Sequence, residues 1–132
     1  MLSLLLAELF FVPPAAPVPA AAFCTSIFFD PDSAEIPRSA WPILDRVVSD
    51  VEDNGGAPVA ITGNSGATRF PGGAQALATA RAQHVRDYLI RQGVNGGTIT
   101  IRSPDPAWSR PENKRLANAL DHQNAEICVI HD

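Results

Sequence analysis

The chain has 132 residues, enough for one domain around one core. With 45% apolar and 18% charged residues it has the composition of a soluble globular protein, which argues against disorder. A net charge of −4 lacks the basic footprint of a nucleic-acid binder, and two cysteines with three scattered histidines (His84, His122, His131) offer no zinc-ligand spacing. Each histidine therefore reads as an ordinary polar residue, and neither a metal nor a cofactor is expected.

In chain order, Leu2 to Val12 is almost wholly apolar but too short to span a bilayer, which needs about 20 residues. Four prolines and the run Ala20-Ala21-Ala22 follow, so residues 1–22 read as a secretory signal peptide cleaved ahead of Phe23. No Lys or Arg precedes the apolar run, and Glu8 interrupts it. Lipidation of Cys24 is disfavoured because Phe23 is not small. The expected mature domain, 23–132, has no transmembrane span.

Cys24 to Phe29 is rich in strand formers and is broken by Asp30-Pro31-Asp32-Ser33. Pro37 to Asp53 is predicted as a helix, with Trp41, Leu44, Val47, Val48 and Val51 on one face, Ser39 as N-cap, Pro42 in the first turn and Asn54-Gly55-Gly56 as its stop. A short apolar strand at Pro58–Thr62 leads into a polar, glycine-bearing loop over 63–73. Ala74 to Gln92 is a second helix closed by Gly93. Thr98–Arg102 forms a third strand, Ser103–Pro111 a proline-rich loop, Asn113–Leu120 a short third helix and Glu126–Ile130 the last strand. The order β-α-β-α-β-(α)-β predicts an α/β two-layer sandwich: a four-stranded mixed sheet with helices on one face and at least one parallel βαβ unit.

On a helical wheel of the second helix, Leu77, Ala78, Ala82, Val85, Tyr88 and Leu89 share one arc, and Arg81 falls inside it. A guanidinium on an apolar stripe requires an anion or several acceptors. Two readings stand: Arg81 snorkels outward near the helix start or pairs with an internal carboxylate, or it faces a cleft and grips a ligand carboxylate.

The motifs Phe28-Phe29-Asp30-Pro31-Asp32-Ser33-Ala34-Glu35-Ile36, Leu77 through Leu89, Gly93-Val94, Ser109-Arg110-Pro111 and Glu126-Ile127 resemble those of the OmpA/MotB C-terminal family, over about Ser26 to Ile130. The resemblance implies a periplasmic, non-catalytic domain, associated with the cell wall or outer membrane, that binds the diaminopimelate of peptidoglycan stem peptides. In that family an Asp in a G-x-T-D element meets the ligand amino group and the helix Arg takes its carboxylate. Arg81 holds the Arg position. The G-x-T-D element here reads Gly63-Asn64-Ser65-Gly66, so glycine stands at the Asp position. Arg69 replaces a loop glycine, Ala74 an asparagine and Ala78 a serine, and the paired arginines before the last strand are Gln123 and Asn124.

The ligand-binding residues implied are thus Arg81, Asn64, Ser65, Gly66, Arg69 and Asn124. Asn64 and Ser65 offer uncharged contacts to an amino group, while Arg69 is either a second cation for the ligand or a solvated loop charge. A charge-assisted hydrogen bond contributes about 1.5–3 kcal/mol, so its loss at Gly66 predicts binding weaker by roughly ten- to hundredfold. The alternative is a structural or protein-interaction module of the cell envelope that keeps the fold and no longer binds peptidoglycan. No Ser/His/Asp or Cys/His set has useful spacing, and Asp30 and Asp32 read as turn caps, so no catalytic residue is assigned. Cys24 and Cys128 lie in the first and last strands. They form a disulfide if those strands are neighbours in an oxidising compartment, and otherwise two packed thiols.

Overall fold

The computed structural model describes residues 22–102 and 122–131. Strand β1 spans Ala22–Phe28 and helix α1 Trp41–Asp53, entered through a single 3-10 turn, Arg38–Ala40. Strand β2 (Val59–Gly63), helix α2 (Gly73–Arg91), strand β3 (Ile99–Arg102) and strand β4 (Asn124–Ile130) complete the described elements. The sheet order is β1-β4-β2-β3. β4 runs antiparallel to both neighbours and β2 is parallel to β3, which makes β2-α2-β3 the crossover unit. The predicted mixed four-stranded sheet and its α/β class are therefore observed. The expected third helix, the loop after β3 with Ser109-Arg110-Pro111, and the expected signal segment up to residue 21 lie outside the described residues.

Alternation along the strands separates two faces. Ile27, Val59, Ile61, Ala125, Ile127 and Val129 are buried against Leu44, Val47 and Val51 of α1 and Val85 and Leu89 of α2. Burying a side chain of this size stabilises by about 1.5–3 kcal/mol, so this layer dominates the fold. The opposite face carries Cys24 and Cys128, which sit directly across from one another in the β1–β4 register with Cα atoms 4.0 Å apart. They form a disulfide that closes a sequence separation of 104 residues.

Several boundaries differ from those expected. Ser39 does not cap α1. The 3-10 turn leads straight into the helix, so Ala40 takes the N-cap position with no side-chain bond, and Pro42 occupies the first turn as expected. Trp41, placed by periodicity on the core face, is 43% exposed, because the first turn of α1 reaches past the packed layer. β1 and β4 each begin two residues earlier than expected, where register pairs Ala22 with Ile130 and Phe28 with Asn124. Gly93 ends α2 with φ +103°, and the Val94 N–H reaches back to the Leu89 carbonyl at 3.0 Å, the helix stop that the glycine predicted.

Gly63 fixes how β2 meets α2. A Cβ there would collide with the carbonyl oxygen of Ala78, so the two backbones touch through a side chain that does not exist. The loop leaving β2 is thereby set against the N-terminal half of α2, beside Arg81.

Candidate functional site

Arg81 is fully buried, as its place on the apolar stripe required. Each nitrogen of its fork donates to a backbone carbonyl. Nε donates to the Ser33 carbonyl at 2.8 Å, Nη1 to the Asn64 carbonyl at 2.8 Å and Nη2 to the Asp30 carbonyl at 3.0 Å. The guanidinium carbon lies 5.0 Å from the centre of the Phe29 ring, within cation–π range. Burial pushes the group down to about 10, partly offset by the negative charge of Asp32, and it stays cationic at neutral pH. One side chain on α2 thus joins the turn after β1 to the loop after β2.

A second tie runs between the same two segments. The Asp32 carboxylate accepts from Thr68 Oγ1 at 2.6 Å and from the Arg69 N–H at 3.0 Å, and Asp32 itself adopts φ +60°. These two hydrogen bonds, the Thr68 one first, hold its carboxyl below the usual 3.8. Within the turn, the Ser33 N–H donates to the Asp30 carbonyl at 3.1 Å.

The other expected ligand residues fall around this cradle. Asn64 is joined to Asn124 twice: its N–H donates to the Asn124 carbonyl at 2.8 Å, and its Nδ2 to Asn124 Oδ1 at 2.8 Å. Ser65 is fully buried and its Oγ donates to the Gly66 carbonyl at 2.8 Å. Gly66 is buried, whereas Arg69 is exposed and meets the cradle through its backbone. Gln123, just before β4, is buried with Oε1 unpartnered, while its carbonyl accepts from the Phe29 N–H at 2.8 Å. Arg81, Asn64 and Asn124 are therefore brought together, with Ser65 and Gly66 in the connecting loop.

The sequence reading offered Arg81 an internal carboxylate, an outward path or a ligand. The three carbonyls were missed because backbone acceptors carry no residue identity. A usable signal was the Asp30-Pro31-Asp32-Ser33 turn, whose tight path turns carbonyls inward. Among the described residues, the metal-ligand types that cluster are Cys24, Glu126 and Cys128, and the two sulfurs are bonded to each other. No described helix is long and apolar enough to cross a membrane.

A family model for the OmpA family matches residues 28–126, a stretch that contains Arg81, the loop after β2 and the start of β4. The chain belongs to the OmpA family. Domains of this family are structural, peptidoglycan-associating modules rather than enzymes. Solved structures with the same fold include the cell wall anchor of the T6SS from Pseudomonas aeruginosa, at 24% identity over 84% of this chain and 82% of that one, TM-score 0.62. The OmpA-like domain of FopA1 from Francisella tularensis is similar at 19% identity over 89% and 77%, TM-score 0.68. The C-terminal domain of Helicobacter pylori MotB matches at 21% identity over 78% and 81%, TM-score 0.65. No curated protein sequence matches the chain.

Proposed function

We propose that this OmpA-family domain is an exported, non-catalytic module of the periplasm that associates with the cell wall through the diaminopimelate of stem peptides, and that it does so weakly. The observation that carries the reading is the state of Arg81. Arg81 holds the sequence position of the family's carboxylate-gripping arginine, yet its donors are directed at Asp30, Ser33 and Asn64 carbonyls. A ligand carboxylate would compete with these bonds. Its amino group would meet Gly66, which has no charge to offer. The Cys24–Cys128 disulfide supports export to an oxidising compartment.

The same observation favours a second reading, a cell-envelope module that keeps the fold and uses Arg81 only to hold its loops. Cosedimentation with purified diaminopimelate-type peptidoglycan separates the two. Weak, non-saturating binding by the full chain that tightens about ten- to hundredfold in Gly66→Asp supports the first. No binding by either protein leaves the second. Tight, saturable binding by the unaltered chain overturns the weakened site.

A further inference from the structure

Where the start of α1 passes the C-terminal half of α2, a cleft of about 420 Å³ opens that Arg81 does not line. Glu35, Trp41, His84, Asp87, Tyr88 and Arg91 surround it. A second hollow of about 370 Å³ shares Glu35 and Trp41 with the first and continues past Arg38 to the turn at Asp30 and Ser33. Both volumes lie in the range of small-molecule sites, roughly 300–1,000 Å³.

The walls are built from aromatic surface and uncommitted polar groups. Trp41 leaves 43% of its surface open, with the Arg38 guanidinium 5.7 Å from its ring centre. The Tyr88 hydroxyl donates to Asp45 Oδ1 at 2.7 Å, which fixes that ring in the wall. His84 Nδ1 bonds the Ala34 carbonyl. A carbonyl only accepts, so Nδ1 is the donor in this bond. Glu35, Asp87 and Arg91 are exposed, and their side chains make no hydrogen bond or ion pair with another described residue.

We propose that this cleft binds a neutral oligosaccharide, with one pyranose ring lying on Trp41 and its hydroxyls reaching Glu35, Asp87 and Arg91. Three features select that class. Glu35 and Asp87 outnumber Arg91 in the cleft, and the adjoining hollow adds Asp30 and Arg38, which offset each other, so the lining carries one negative charge in excess and gives an anionic polymer no net attraction. Fixed acceptors and fixed donors interleave around the rim, and a sugar hydroxyl satisfies either, because it both donates and accepts. A partly exposed indole that shares its ring with Arg38 and stands beside polar groups suits a ligand with one apolar face and a polar edge, whereas an apolar peptide would bury these charges unpaired. The cleft is separate from the Arg81 cradle, so the inference does not rest on the stem-peptide reading.

Titration of the full chain with cellobiose and with N,N′-diacetylchitobiose, followed by NMR, tests it. The Trp41 indole and His84 ring signals are expected to move saturably with at least one disaccharide. Trp41→Ala should weaken that binding about tenfold or more, and Asp87→Asn about threefold. Both side chains are exposed, so both variants should fold, which their unchanged amide spectra would verify. No saturable shift with either sugar up to about 10 mM, or equal affinity in both variants, overturns the proposal. A diaminopimelate-containing tripeptide titrated separately reports on the Asn64–Phe70 loop, and its failure to bind counts only against the stem-peptide reading.

Discussion

Two polar regions lie a few residues apart along the chain and treat their charges in opposite ways. In the Arg81 cradle the polar side chains face the protein itself: the guanidinium meets three carbonyls, Asn64 meets Asn124, and Asp32 meets Thr68 and Arg69. In the cleft between α1 and α2, Glu35, Asp87 and Arg91 face solvent without described partners. A buried cation is costly unless several acceptors surround it, and once they do, removing it is costlier still. Under the proposed weakened site, this asymmetry gives a physical reason for an arginine at 81 beside a glycine at 66. The packing role of Arg81 does not depend on a ligand, whereas an acid at position 66 would have no such second use.

The largest expected effect therefore lies in the cradle. Arg81→Ala should destabilise the fold by on the order of 3–5 kcal/mol, because it removes a fully buried side chain beside Phe29 and with it three part-buried hydrogen bonds to the carbonyls of Asp30, Ser33 and Asn64. Lys at 81 should recover only part of this, since one ammonium cannot reproduce the spacing of a fork. Trp41→Ala in the cleft should change stability by no more than about 1 kcal/mol. Urea denaturation of the three variants measures the contrast. A cost at Trp41 equal to that at Arg81 would end the distinction between the two regions.

The disulfide sharpens the same comparison, because β1 delivers the Asp30–Ser33 turn to Arg81. Replacing Cys24 and Cys128 with serine together should cost about 2–4 kcal/mol through the longer, freer unfolded chain. Cys24 and Cys128 occupy the solvent-side face of the sheet and Arg81 the helix-side layer, so the two losses should add within about 0.5 kcal/mol. Strong coupling in a double-mutant cycle would mean that the cradle is held by the anchoring of β1 more than by the guanidinium.

Much of this architecture is legible in the sequence, for reasons that can be traced. The period of α2 set Leu77, Ala78, Ala82, Val85 and Leu89 inside and marked Arg81 as anomalous, and burial followed. Gly93 announced the end of that helix because only glycine takes its φ cheaply. The strand-helix alternation gave the parallel β2–β3 pair. Three things stayed hidden. Periodicity assigns a face but not where the packed layer stops, so Trp41 looked like core. The 3-10 turn over Arg38–Ala40 has no composition cue that overrides a well-placed serine. Arg81's acceptors are carbonyls, and which carbonyls turn inward is a property of a path in space, not of residue type.

The smallest expected effect concerns the second tie across the cradle. Asp32 is exposed, so its bonds to Thr68 and Arg69 compete with water and contribute little to overall stability. Their signature is instead the position of a titration. Because the carboxyl is held below 3.8 in the folded protein, its stabilising share is fully present above 3.8 and is lost as pH falls through the lower, folded value. The amide signal of Arg69 should accordingly move in acid with a midpoint below 3.8, and the movement should vanish in Asp32→Asn. A midpoint at or above 3.8 would mean that the carboxylate does not hold the loop, leaving Arg81 alone to join it to the turn. In that case Arg81→Ala should release the Thr68–Phe70 segment as well as Asn64, and faster amide exchange there would show it.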